Sequence, residues 1–415
     1  MIKKNSILII GAGVNQLPII SVAKQLGYHV IAVSPKGNYP GLIIADEVLN
    51  EDIFNKEEIL KFAKSRPDIG GVLSDQSDIA VPIVAYLAEN LGLPGIGYNN
   101  SFYFTDKAKM RELLVELNLP IAENYTVTTI EEVKEKISII GFPVVLKPTD
   151  AFASRGVIKI DDFDTLEEKY HFAKSASRSG LLVVEKYIQG PQYFSQGFVE
   201  DYKLNLFAFS DRYYFDLPDM FLPYTNAFPA LIDESLKNRM KNYMDRIVER
   251  LRPQFGHFWA EWIYDDKNDV LYPIEFAARG AGACVTTDVI TNAYSIDTQP
   301  YLVKAAMGEK TDFDKVIPQN HAAAFYCFLL NEGEIVSIDG LDELSKIKGV
   351  VKTNLPQLKI GDIIPPIKDK SSRFGPIVIK GETRAELDKI RSVMMQTLLV
   401  KVKTKKGTIE GAIWE

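Results

Sequence analysis

The chain has 415 residues, with 48 Lys and Arg against 55 Asp and Glu, a formal net charge of −7, and is 46% hydrophobic and 25% charged. At roughly 100–200 residues per domain it makes about two to four domains, and no apolar run reaches the ~18 residues of a membrane-spanning helix. Two cysteines (Cys284, Cys327) and four scattered histidines (His29, His171, His257, His321) exclude a disulfide framework, a cysteine zinc site and an H-E-x-x-H hydrolase, and the acidic balance argues against a nucleic-acid partner.

Residues 6–10 (SILII) form an apolar strand that runs into Gly11-Ala12-Gly13. A helix-periodic stretch follows to Leu26 and closes at Gly27, the left-handed position past a helix end. A first apolar run that ends in glycine is a buried strand, not a leader, so a cytoplasmic location and no membrane partner are expected. Strand 28–33, a helix near 56–65, strand 71–73 and a helix over 79–91 continue the alternation, which predicts βαβ crossovers and a doubly wound parallel sheet. The opening Gly-x-Gly has Gln16 where a dinucleotide fingerprint wants its third glycine, and the second strand ends Ser34-Pro35-Lys36 without a ribose-binding acid. A tight turn is the better reading, with a nicotinamide oxidoreductase kept as an alternative. Ligands of such sheets sit at the carboxyl ends of strands, so Ser74-Asp75-Gln76 is either a substrate rim or, through Asp75, the cap of the next helix.

Residues 99–105 read as a linker. Helices are expected over 106–117 and 131–139, and strands over 142–147 (FPVVLK), 157–160 and 181–187, with two aromatic-rich strands within 194–209. Residues 216–229 form a proline-punctuated loop before a long helix near 234–251. Strands 259–264 and 270–277 flank Asp265-Asp266-Lys267-Asn268-Asp269 as a hairpin. The last hundred residues open with a hairpin turned at 331–334. They end on strand 376–380 and a helix started by the capping box Thr383-x-x-Glu386.

The second hairpin carries the chemistry. Alternate strand residues share a face, so Glu275, Ala277 and Arg279 point one way and Glu261 on the partner strand reaches the same surface. Carboxylates facing one another among aromatics lose hydration unless a cation sits between them, which Mg²⁺ with substrate phosphates supplies; a solvated sheet face is the alternative. The small residues Gly280-Ala281-Gly282-Ala283 let backbone approach a ligand. Lys147 closes an apolar strand, where an ammonium needs an anion, and Ala153-Ser154-Arg155-Gly156 could fold over phosphates or be a polar hairpin tip.

In this order the pieces resemble the ATP-grasp superfamily of carboxylate–amine ligases, with the match running from about Thr105 to Gly308 and the flanks also similar. The Ser-Arg-Gly loop and the Glu-x-x-x-Arg-Gly end are most similar to the L-amino-acid ligases. The resemblance implies an α/β and α+β multi-domain fold. It comprises an N-terminal doubly wound domain (1–104), a two-part ATP-grasp core (105–310, with a lid-like part at 120–187 and a catalytic part at 188–310) and a β-rich C-terminal domain (311–415). It also implies ATP with Mg²⁺, or Mn²⁺, and small-molecule carboxylate and amine substrates, in a chain that can form a homodimer. By the same resemblance Lys107 and Lys147 contact nucleotide phosphates, and loop 149–157, with Ser154, Arg155 and Gly156, covers them. Residues 185–188 form the adenine hinge, with Glu185, Lys186 and Ile188 at the nucleotide and Gln192 in the ribose-binding place usually held by Glu. Glu261 and Glu275 bridge the metal, and Arg279 steadies the transferring phosphoryl group. Ala277 replaces a metal-ligating Asn common in the family. Residues 216–229 and those after Arg279 would shape the acceptor pocket, and Arg373 is either a carboxylate contact or a solvated side chain. The implied reaction activates a carboxylate as an acyl phosphate for attack by an amine. An ATP-dependent carboxylase or purine-pathway ligase of the same fold is the alternative.

Overall fold

The structure, a computed structural model, describes residues 4–415. The N-terminal sheet is parallel, with strands in the order Glu47–Asn50, His29–Ser34, Ser6–Ile10, Ile69–Leu73. Its central strand reads as a continuous apolar run because both faces are covered. Ile7 and Ile9 share a core with Ile19 and Ile20 of helix Leu17–Gln25, while Leu8 and Ile10 share one with Ile59 and Leu60 of helix Lys56–Lys64. The glycine turn after the first strand is filled from within. Gln16 accepts the Gly13 N–H (3.2 Å) and donates to the Asp75 carbonyl (2.8 Å), so the donors a dinucleotide would need are already used.

A four-stranded antiparallel sheet (Asn124–Val127, Leu182–Lys186, Val144–Pro148, Ile158–Ile160) carries helices Ile130–Ile140 and Leu166–Ser175 on one face. Thr129 and Glu132 form a reciprocal capping box that starts the first of these helices. The largest sheet has eight strands: Val270–Ala277, Phe255–Asp265, Gln192–Glu200, Lys203–Tyr214, Pro223–Phe228, Ala322–Phe328, Phe374–Gly381 and Val350–Thr353. On strand Phe255–Asp265, Phe258, Ala260 and Trp262 pack into one core with helix Glu234–Leu251, and Phe255 and Trp259 pack into the opposite one. Glu261 falls on the Trp259 face, toward the N-terminal domain. A third four-stranded sheet (Ile363–Ile364, Gly333–Asp339, Leu399–Thr404, Ile409–Gly411) and helix Arg384–Thr397, opened by Thr383, complete the chain.

Three local expectations are corrected. Residues 99–105 are not a linker, because Tyr98–Ser101 and Phe102–Phe104 are short helices with Phe104 buried against Phe258 and Phe276. The 216–229 loop contains strand Pro223–Phe228, buried throughout and paired on both sides; its proline stands at the first strand position, where no ladder donor is needed. No hairpin forms at 331–334. Ala322–Phe328 joins the large sheet and Gly333–Asp339 pairs with Leu399–Thr404, so the turn passes the chain from one sheet to another. Residues 322–328 and 374–381 also extend the sheet begun by 192–277, so one ladder crosses the expected division at 310. Among the described residues no helix is long and apolar enough to cross a membrane.

Candidate active site

The floor of the site is the hairpin read from the sequence. Glu261 and Glu275 stand directly opposite one another in its ladder. Each faces a cation: Arg212 Nη2 lies 2.9 Å from Glu261 Oε1, and Lys107 Nζ lies 3.7 Å from Glu275 Oε1. Burial would raise the Glu275 carboxyl, but Lys107, Lys370, Arg279 and Lys147 around it outweigh that and hold it down at about 2, so it is ionised. Two carboxylates on paired strands, open to one cleft, fit a Mg²⁺ ion that takes its remaining ligands from phosphates and water. Ala277 offers no donor, and among the described residues no third His, Cys, Asp or Glu joins them.

Above the floor the antiparallel sheet presents Lys147. Its Nζ pairs with Glu185, whose other oxygen accepts from Arg111 Nη2 (3.1 Å), and all three side chains are buried. Burial pushes the Lys147 ammonium down to about 8, where it is still charged at neutral pH. Lys107, the first residue of helix Lys107–Glu116, donates to the Ala151 carbonyl (2.7 Å) and thereby fixes the start of the 149–157 loop. These groups line a cleft of about 880 Å³ with Ser154, Lys186, Ile188, Gln192, Tyr187, Phe221 and Tyr214. Tyr187 and Phe221 stack at 6.1 Å, an aromatic end suited to a flat base. The Lys186 N–H is spent on the Glu123 carbonyl (2.8 Å), and its Nζ turns back to the carbonyls of Gly141 and Phe142.

Arg155 does not line this cleft. Its side chain is 63% exposed and its Nε lies 3.4 Å from Asp369, so it ties the covering loop to the C-terminal segment; Lys370 N–H adds a backbone bond to the Ala153 carbonyl (3.4 Å). Gly156 is also outside the lining and serves the backbone. At φ +67, an added Cβ would meet Ala176 Cβ at 2.7 Å and Pro148 Cγ at 2.9 Å. Gly156→Ala is therefore expected to cost more than about 1 kcal/mol and to displace the loop. The check is a lower melting temperature together with a higher KM for ATP.

An adjoining cleft of about 980 Å³ shares Arg212, Glu261, Glu275, Phe152, Ala153 and Lys370 with the first. Its far wall adds Arg279, Asp78, Trp259, Asn226 and Arg373. Arg279 is gripped by Asp78 through Nε and Nη2, both at 2.6 Å, and its guanidinium lies 5.0 Å from the Trp259 ring centre. Asp75 is neither a substrate rim nor a helix cap. It is fully buried, accepting the Gly280 N–H (2.7 Å) and the Gln299 amide (2.9 Å). Arg373 is not solvated; it donates to the carbonyls of Pro223 (2.7 Å) and Lys370 (3.1 Å) on the cleft wall. Of residues 213–218, an aromatic and acidic stretch, only Tyr214 lines either cleft; it lines the first, where Phe221 joins it.

Arg212, Lys370 and Asp78 were not selected from the sequence, and Tyr214 and Asn226 only as members of the aromatic stretch and the 216–229 segment. Arg212 carried a signal, as a charged residue inside an aromatic strand. It bonds Tyr214 (2.8 Å) and Asn226 (3.2 Å) as well as Glu261.

Comparison with known proteins agrees with this geometry. Residues 140–288 match the ATP-grasp domain family, and residues 326–403 match the L-amino acid ligase C-terminal domain 2. Alanine–anticapsin ligase of Bacillus subtilis is 27% identical over 246 residues, covering 54% of this chain and 51% of that protein. The formate-dependent phosphoribosylglycinamide formyltransferase of Bacteroides fragilis is 29% identical over 188 residues, covering 44% and 48%. Each of these alignments thus spans about half of the relative's length. The crystal structure of L-amino acid ligase from Bacillus licheniformis superposes with a TM-score of 0.81 at 21% identity, covering 95% of this chain and 98% of that one. One family match thus falls on the cleft-forming sheets, as an ATP-grasp domain, and another on the C-terminal segment, as an L-amino acid ligase C-terminal domain, and the superposition shows the fold they share.

Proposed function

We propose that this chain is an ATP-dependent carboxylate–amine ligase that activates an amino acid or a similar small carboxylate. The observation that carries the reading is the convergence of Lys107, Lys147 and Arg279 on the two opposed carboxylates Glu261 and Glu275 across two adjoining clefts. Carboxylate oxygen is a poor leaving group, so amide formation in water needs activation. In the proposed sequence the substrate carboxylate oxygen attacks the γ-phosphorus of ATP and the bond to the ADP oxygen breaks. The amine nitrogen then attacks the acyl carbon, phosphate leaves and the amine proton is lost. Bound at Glu261 and Glu275, Mg²⁺ (or Mn²⁺) would supply charge neutralisation to the phosphates.

The chain's own residues position and neutralise. Lys147 and Lys107 approach the phosphates from the lid side, and the aromatic pair Tyr187 and Phe221 walls the base. On the substrate side Lys370 and Arg373 form no ion pair with any described residue. Burial lowers the Lys370 ammonium to about 8, a cost that an anionic substrate would relieve. The apolar walls Phe194, Trp259 and Phe325 suit an apolar side chain. A cytoplasmic location and a homodimer belong to the same reading.

Screening carboxylate–amine pairs for ADP release, with mass spectrometry of the condensed product, tests it. The expected result is release that needs both partners and is lost in Glu275→Gln and Lys147→Ala; near-normal turnover in either variant would refute the assignment. The formyltransferase match favours one second reading, a purine-pathway ligase or carboxylase of the same fold. ADP release that depends on bicarbonate or on a ribonucleotide would favour it.

A further inference from the structure

Two consecutive residues at the end of the floor hairpin, Arg279 and Gly280, are held by two carboxylates from one turn of the N-terminal domain, some two hundred residues earlier. Asp78 takes the guanidinium of Arg279 as a two-pronged pair, Nε to Oδ1 and Nη2 to Oδ2, both at 2.6 Å. Asp75 takes the Gly280 N–H at 2.7 Å. The site is built around that second contact, since a Cβ on Gly280 would stand 2.6 Å from Asp75 Oδ1. Asp75 is itself fixed, by Gln299 Nε2 at 2.9 Å and by the ring of His257 at 3.2 Å, whose other nitrogen lies 2.8 Å from Thr298 Oγ1. The turn is in turn tied to the first strand through Ser74 Oγ, which donates to the Ile10 carbonyl (2.7 Å), and through Gln16 Nε2 on the Asp75 carbonyl (2.8 Å).

An arginine has five N–H donors in a rigid fork. Here Nε, one hydrogen of Nη2 and one of Nη1 are committed, to Asp78 and to the Gly280 carbonyl (2.8 Å), and the flat face lies over Trp259. One hydrogen on each terminal nitrogen is left, and the side chain lines the cleft that also holds Glu275. A long flexible side chain is thus reduced to one orientation before any substrate arrives.

We propose that Asp78 is a positioning residue for Arg279, with Asp75 fixing the Gly280 peptide, so that the seating of the N-terminal domain sets where the arginine meets the transferring phosphoryl group. The proposal rests on the ligase reading for the role of Arg279, but the grip itself does not.

Its test uses the full-length chain, saturating MgATP and the carboxylate–amine pair giving the most ADP release in a panel of L-amino acids. Asp78→Asn is expected to lower kcat about 10²-fold, the cost of misplacing a catalytic group by about an ångström, with KM for ATP and the Kd for MgADP within about twofold. Asp78→Glu keeps the charge and should recover part of that loss. In an Arg279→Ala background, Asp78→Asn should cause no further loss and a small recovery, because positioning by Asp78 needs the arginine and the bare carboxylate that repels an anionic substrate is removed. A purely structural role predicts the opposite pattern: additive losses in the double variant and weakened MgADP binding. Either that pattern or an unchanged kcat in Asp78→Asn overturns the proposal. If no pair supports ADP release by the unaltered chain, the ligase reading fails first, and the grip is then scored by labelling. Asp78→Ala should make Arg279 react with phenylglyoxal at least about tenfold faster, as loss of a charge-assisted pair requires. Equal labelling would overturn the grip.

Discussion

Arg279→Ala should lower kcat for ligation by about 10²–10³-fold, the usual cost of deleting one preorganised donor aimed at developing charge. The loss should fall on kcat, since the cleft proposed for the nucleotide is lined by Lys107, Lys147, Tyr187 and Phe221, none of which Arg279 supports directly. Two effects act together in the variant. The cation that faces the phosphoryl group is gone, and Asp78, now without its partner, leaves a bare carboxylate beside an anionic substrate. Arg279→Lys restores the charge but not the fork that fills both Asp78 oxygens, so its kcat should lie between those of the wild-type and alanine enzymes. Steady-state ADP release and single-turnover product formation check this. A kcat within a few-fold of wild type in Arg279→Ala would remove the arginine from the chemistry.

How much of this was legible in the sequence depended on whether the partners were local. The N-terminal sheet was readable because burial on both faces leaves an unbroken apolar run between helix-periodic stretches. The floor hairpin was readable because its turn lies between its strands and its carboxylates keep strand parity. Strand Pro223–Phe228 was hidden. Its proline and its buried Thr225 and Asn226 read as loop, and only pairing on both sides explains them, with Asn226 bonded to Arg212. The hairpin expected at 331–334 does not form, because strand partners are chosen by sheets assembled from distant segments. In the site, the residues of each motif lie close together in the sequence. Their counter-charges do not: Asp78 on Arg279, Arg212 on Glu261 and Arg111 on Glu185 come from separate elements. Nothing in the local sequence around Asp78 distinguishes it from any other acid at a helix start.

Glu185→Ala should have the largest effect on the fold. The carboxylate sits between Lys147 and Arg111 with all three side chains buried, so its removal leaves two cations in a low-dielectric interior with no anion. Breaking a buried pair from one side costs about 3–5 kcal/mol, and here two partners are orphaned at once. Burial by itself would raise the Glu185 carboxyl, but the two cations hold it at about 2, below its ordinary 4.5. Its contribution to stability is therefore complete above pH 4.5 and is lost as pH falls through about 2. The wild-type chain should lose more stability across that window than Glu185→Ala, which keeps the losses from other depressed carboxylates such as Glu275 but has no Glu185 contribution left to lose. Thermal unfolding without nucleotide, repeated from pH 7 downward, measures both. A companion variant separates folding from function. Replacing Lys147, Glu185 and Arg111 together by apolar residues of similar size (Met, Leu, Met) leaves no buried charge and should restore most of the lost stability. ADP release should stay abolished, because the ammonium that meets the phosphates is gone. If the triple variant turned over ATP with its substrates, Lys147 would be a structural residue only, and the nucleotide would have to be held by other groups of the cleft.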